Sequence, residues 1–318
     1  MKLSAKNLSN NVVHNKPKTN YANLRAARPV AFGGRLSQES IGHGKKLIQE
    51  TALFRDLTGL KFVQKYTEDL LQIKPQVVIY DGGCSSGEET YSIAMLLKNH
   101  LSKIKLTGFD LGSKAIETAK KGEIPISTPR NKYKDLFSQF SAFSDSFLAF
   151  DSEKPLNSTQ KELKNIFESS FKENQTNSIK EFLQTKLNKK IDTKNFCATD
   201  EIKNNCNFLV GDITRLDELI NDEDADILLF RNSLYHLTTN YSNPIMRFPK
   251  PENEVAENVS NIFKNIHKKL SKDGIVVMGN NEKFQTFDHL DIIPKNIEQQ
   301  GFKPLLEENE NVIVWKKI

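Results

Sequence analysis

The stretch Val77-Val78-Ile79-Tyr80-Asp81-Gly82-Gly83-Cys84-Ser85-Ser86-Gly87 decides the fold. Val77 to Tyr80 reads as a buried strand. The chain then turns through glycines and small residues into GEETYSIAMLLKNH (87–100), a helix whose packing face is Tyr91, Ala94, Met95 and the leucines. Glycines let the backbone turn sharply and approach a ligand closely, while the N–H groups at a helix start point at the ligand's polar atoms. The register does not supply the second and third glycines of a Gly-x-Gly-x-x-Gly dinucleotide turn, and no Gly-Lys-Ser/Thr follows, so a P-loop is excluded.

Beyond this unit, short apolar runs alternate with amphipathic helices, the mark of a doubly wound α/β sheet. Lys105 to Asp110 is a second strand, followed by a helix capped by Ser113 and closed by Gly122. Asn207–Val210, Ala225–Phe230 and Gly274–Gly279 are further strands. Val255, Val259, Ile262, Phe263, Ile266 and Leu270 mark the helix between the last two, ending at Asp273-Gly274. A helix to about Gln300, then Phe302–Leu306 and Val312–Trp315, predict an antiparallel hairpin on the edge of the sheet.

One step is too long. Asp212 lies 102 positions beyond Asp110, where a βα step takes about 30 residues, so roughly 70 are inserted. Tyr133 to Phe147, Leu163 to Phe171 after a Thr159-x-x-Glu162 capping box, and Ile179 to Ile191 all show helical spacing, which predicts a mainly helical subdomain over 125–205. Its phenylalanines are expected to pack against each other and the parent domain. The wound domain then comprises 76–124 and 206–318, behind a helical lead-in over 41–75 and a disordered basic arm over 1–40.

With 318 residues, 27% charged and 37% apolar, the chain suits a substantial core. Its formal +5 is local: residues 1–50 hold nine Lys/Arg against two acids, and the rest is slightly acidic at -2. Nothing in the core asks for nucleic acid. No apolar run reaches the roughly 18–20 residues of a membrane span, and no secretory signal opens the chain, so a cytoplasmic location is expected. Cys84, Cys197 and Cys206 lack metal-site spacing, so no metal is expected, and Cys84 reads as a small buried side chain.

Asp81, Gly83, Ser85 and Gly87 fit the acidic-x-Gly-x-small-x-Gly turn of S-adenosylmethionine (SAM) sites. Asp110, 23 residues past Gly87, ends the second strand where a carboxylate can accept from both ribose hydroxyls; an N-cap of the next helix is its competing reading. Asp212 and Arg231-Asn232 also stand at carboxyl ends of strands, where such sheets bind ligands.

CSSGEETYSIAMLL, GFDLGSKAIETAKKG, ILLFRNSLYHL and IFKNIHKKLSKDGIVVMGNNEKF resemble successive motifs of the CheR family, SAM-dependent methyltransferases that esterify glutamates of chemotaxis receptors. Thr51-Ala-Leu-Phe-Arg55 resembles the family's Thr-x-Phe-Phe-Arg segment, and residues 196–213 resemble the end of its small β subdomain. The resemblance covers about 47–124 and 196–284. It implies a class I methyltransferase sheet in which Gly83, Ser85 and Gly87 shape the cofactor turn. Glu89 would bind the cofactor's polar part, Asp110 its ribose, and Asp212 with Ile213 its adenine side. Thr51 and Arg55 would close over the methionine moiety, with Arg55 near the methyl, and Arg231-Asn232 would complete the wall.

The chain departs from the family at the tyrosine five places after the strand-four arginine: His236 stands there, and Tyr235 is one residue early. The family's helical N-terminal domain is largely absent, and the helical insert interrupts its β subdomain. Methyl transfer from a sulfonium needs in-line positioning and exclusion of water more than covalent help. A carboxylate acceptor is already ionised at pH 7; an amine or hydroxyl needs a base, a role open to His236 if it faces the methyl. The expected function is SAM-dependent methylation of a protein carboxylate, releasing S-adenosylhomocysteine, with a membrane receptor among the acceptors compatible with it. Methylation of another protein or a small molecule, or a SAM-binding scaffold without transfer activity, are the alternatives.

Overall fold

The computed structural model describes residues 34–41, 45–55, 57–128, 158–174, 192–220, 224–231, 233–234, 238–241, 247–279, 292–305 and 313–318. Seven strands make the central sheet: β3 (Val77–Gly82), β4 (Ile104–Asp110), β8 (Cys206–Val210), β9 (Ala225–Leu229), β12 (Leu270–Met278), β13 (Phe302–Pro304) and β14 (Ile313–Lys317). Their order is β13-β14-β12-β9-β3-β4-β8; a short helix, α6 (Leu216–Leu219), follows β8, and two short strands, β10 (Thr239–Tyr241) and β11 (Arg247–Pro249), pair antiparallel outside the sheet. The five strands from β12 to β8 run parallel, and β14 is antiparallel to both β12 and β13, the expected C-terminal hairpin.

Both faces of the sheet are buried, so its strands read as near-continuous apolar runs. Alternate side chains divide between two cores. Val77, Ile79, Leu229, Val277 and Val314 face α1 (Leu57–Leu70) and α2 (Glu88–Leu96). Leu228, Phe230, Val276 and Trp315 face α7 (Glu252–Lys269) and α8 (Ile292–Gln299). At the amino edge, the 3%-exposed Asp226 accepts from Lys74, from the Val78 N–H (2.9 Å) and from the Ser271 hydroxyl (2.9 Å), joining the segment after α1 to the sheet.

The long step between β4 and β8 holds both helices and strands among its described residues. After α3 (Ser113–Lys121) come β5 (Glu123–Thr128), α4 (Ser158–Ser170), β6 (Phe171–Asn174), β7 (Asp192–Ala198) and α5 (Asp200–Asn204). The three strands form an antiparallel sheet ordered β5-β7-β6. The described part of the insert thus holds a small antiparallel sheet beside α4 and α5, where the sequence predicts a mainly helical subdomain over 125–205. Non-local pairing is the reason: Ile124 lies opposite Phe196, a partner far along the chain that no local periodicity reveals. The helices expected over 133–147 and 179–191 fall outside the described residues.

The subdomain is fastened to the core by aromatic rings. Phe171 meets Tyr91 of α2 edge-on with centroids 5.8 Å apart, and Phe167 stacks on Phe171 at 5.1 Å and meets Phe196 at 5.0 Å. Lys61 of α1 pairs with Glu162 at 2.8 Å. Glu162 thus serves interhelical pairing rather than a capping box, and Thr159 already lies within the helix.

Two further boundaries shift. Residues expected to end the basic arm and begin a helical lead-in form an antiparallel hairpin, β1 (Gly34–Ile41) with β2 (Lys45–Ala52), and the helical lead-in is α1 alone. The polar sequence of β1 conceals the strand. Gly112, not Ser113, precedes α3, while Gly122 closes it in the left-handed region at φ 69°. Among the described residues no helix is long and apolar enough to cross a membrane.

Candidate functional site

The site grows from the carboxyl ends of β3, β4 and β9. β3 ends at Asp81-Gly82, and the next five residues return to α2 through a turn that needs left-handed backbone at Gly83 (φ 77°) and Gly87 (φ 91°). Gly83 and Cys84 both donate their N–H groups to the Phe109 carbonyl, at 2.8 and 3.1 Å, so the turn is laced to the end of β4. A side chain at Gly83 would come within 2.4 Å of the Ser233 hydroxyl oxygen, and one at Gly87 within 3.0 Å of the Phe208 ring.

Asp110 is set by the same turn. Ser85 donates its N–H to one carboxylate oxygen at 2.9 Å and Gly112 donates to the other at 2.8 Å. The carboxylate remains partly exposed. Beside it, Gly211 donates to the Asp110 carbonyl at 2.9 Å. Asp212 follows, its side chain accepting from the Thr214 N–H at 2.8 Å as the cap of a short 3-10 turn. Ile213 reaches towards Gly82: a Cβ there would lie 3.1 Å from its terminal methyl.

Just beyond the end of β9 lies a buried charge cluster. Arg231, its side chain wholly buried, pairs with Glu89 of α2 at 3.3 Å and donates from Nη2 to the main-chain carbonyl of Arg55 at 2.7 Å. Thr90 donates its hydroxyl to Asp81 at 2.6 Å. Burial, and next the charge of Glu89, push the Asp81 carboxyl well above the usual carboxylate range. Burial also raises the Cys84 thiol, so a buried, inert cysteine is what the turn contains.

Gly83, Ser85, Gly87, Glu89, Asp110, Asp212, Ile213, Arg231 and the Arg55 backbone thus gather on one edge of the sheet. Thr51 lies in β2, where only its backbone is described. Asn232, Tyr235 and His236 lie outside the described residues. Sequence reasoning missed Ser233 against Gly83, Thr90 against Asp81, and Phe54, whose left-handed backbone (φ 52°) nothing in its residue type announces.

The turn fits SAM on the chain's own terms. Ser85 Oγ is buried with no hydrogen-bond partner among the described residues, and Asp110 offers a pre-set carboxylate. Numbered within the sheet alone, the strands run 6-7-5-4-1-2-3, and this order with the turn after the first strand defines a class I SAM-methyltransferase domain.

Residues 49–146 match the family model described as CheR methyltransferase, SAM binding domain. The chain is 32% identical over 125 residues to a chemotaxis protein methyltransferase of Campylobacter jejuni subsp. jejuni (strain 81-176), covering 39% of this chain and 47% of that protein. A chemotaxis protein methyltransferase of Borreliella burgdorferi is 34% identical over 77 residues, 22% of this chain and 27% of that protein. The match spans about half the length of the Campylobacter relative and less of the Borreliella one. Among solved structures, DszA carbon methyltransferase is similar at a TM-score of 0.41 with 11% identity, over 82% of this chain and 53% of that one.

Proposed function

We propose that the protein transfers the methyl group of SAM to a protein carboxylate, a glutamate side chain of a chemotaxis-type receptor being the acceptor class that fits best. The observation that carries this reading is the hydrogen bond from Arg231 to the Arg55 carbonyl. It holds the main chain of Arg55 at the same sheet edge as the cofactor turn, where the Arg55 guanidinium would suit an anionic acceptor or the cofactor's own carboxylate.

Bound SAM supplies an electrophilic methyl on a sulfonium. The chain's part is to hold and orient. Asp110 would accept from the two ribose hydroxyls, and Asp212 with Ile213 would flank the adenine. Gly83, Ser85 and Gly87 would receive the amino-acid end, with Glu89 and Asn232 nearby. Thr51 and Arg55 would close over the methionine portion and exclude water. An ionised carboxylate needs no proton removed before it attacks, so the account requires no base; Tyr235 and His236 are left to position the acceptor.

Incubating the protein with cell extract and SAM labelled in the methyl group tests the proposal. Label on protein that is released as methanol in mild base is expected. Label that survives base assigns an amine or other acceptor, with His236 as the candidate base, and overturns the carboxylate.

A further inference from the structure

Ser92 lies on α2, one turn into the helix and wholly buried, and no role follows for it from the cofactor turn. Its hydroxyl has two fixed partners. It donates to the Glu88 carbonyl at 2.7 Å, and it accepts the main-chain N–H of Phe54 at 2.8 Å, 38 residues away in sequence. Phe54 is itself wholly buried and holds φ 52°, a backbone setting a bulky residue adopts only where its surroundings impose it. The next residue is Arg55, whose carbonyl is gripped by Arg231 at 2.7 Å, while Arg231 also pairs with Glu89, one residue after Glu88.

We propose that Ser92 is a positioning residue: together with Arg231 it clamps the main chain on both sides of the Arg55 side chain, fixing where that guanidinium enters the site. The inference deepens the methyl-transfer reading and rests on it for the role of Arg55. Two anchors on opposite sides of one residue leave its side chain little choice of origin, and both belong to elements that also build the cofactor site, α2 and the end of β9. The clamp therefore registers the lead-in segment against the cofactor turn. A buried N–H without its acceptor is costly, so losing the hydroxyl should release Phe54 from its left-handed setting.

The test is a double-mutant cycle read by S-adenosylhomocysteine affinity, with hydrogen exchange of the ligand-free protein alongside. Ser92→Ala is expected to weaken binding roughly tenfold, the order of one buried hydrogen bond. In an Arg55→Ala background the same change should cost almost nothing, because the residue it positions is gone. Ser92→Thr, which keeps the oxygen, should restore affinity. Equal cost of Ser92→Ala in both backgrounds overturns the proposal, since a residue with a merely structural role behaves so. Should Ser92→Ala not fold, the wild-type Phe54 amide decides: exchange as slow as that of α1 interior amides upholds the clamp, and exchange as fast as an open loop overturns it. That exchange reading stands even if S-adenosylhomocysteine does not bind, an outcome that would count against the SAM reading of the site instead.

Discussion

Ser85 donates its main-chain N–H to the Asp110 carboxylate at 2.9 Å, so the turn after the first strand and the acid at the end of the second are one unit. The residue that would bind the ribose is held by the residue that would shape the turn. Asp110→Ala should therefore lose both the acceptor and the brace, weakening SAM binding by roughly 100-fold, the scale of two hydrogen bonds to a charged group. Calorimetry checks this; near wild-type affinity would show that the ribose lies elsewhere.

Gly83→Ala places a methyl within 2.4 Å of the Ser233 hydroxyl and on a backbone at φ 77°. A cost of about 1–3 kcal/mol in stability is expected, measured by urea denaturation. Adding Ser233→Ala should recover the steric part and leave the backbone part. Full recovery would mean that the left-handed φ is not the constraint.

Asp81 gives an unusual pH dependence. Its folded-state carboxyl titrates well above the ordinary range because it is buried beside Glu89, whereas the unfolded carboxyl titrates at about 3.9. Between those values the folded protein holds the extra proton, so this residue's contribution to stability falls as pH rises through the window. Asp81→Asn cannot ionise and still presents an oxygen to Thr90. Its stability relative to wild type should therefore increase as pH goes from 4.5 to 7.5, read from urea midpoints; parallel profiles would contradict the shift.

Phe167 joins the β subdomain to α2 through Phe171 and is wholly buried. Phe167→Ala should cost about 3–5 kcal/mol by leaving a cavity at that junction. Limited proteolysis should show cleavage appearing first between α3 and β8. Cleavage in β3 or β9 at the same rate would mean that the junction does not hold the subdomain on its own.

The central sheet is legible because each of its buried strands carries its own signal: Val77–Tyr80 and Ile227–Phe230 are apolar runs, and the glycines of the turn sit at fixed spacing. The β subdomain is not, because Ile124 finds its partner Phe196 across the whole insert, and a four-residue strand such as β6 carries almost no pattern. The turn from Asp81 to Gly87 and Asp110 were visible as residues, yet what connects them was not. Ser85 to Asp110, Thr90 to Asp81 and Ser92 to Phe54 are contacts between elements, made by residue types that occur everywhere. The +5 of the whole chain, by contrast, was informative only once located in residues 1–50.

Titrating the protein with SAM and with S-adenosylhomocysteine in a calorimeter tests whether this sheet edge binds the cofactor. Saturable binding of both at one site per chain, weakened about 100-fold in Asp110→Ala, is the predicted result. No binding of either to the folded wild-type chain would contradict the assignment of this sheet edge as a SAM site, and with it the methyl-transfer account.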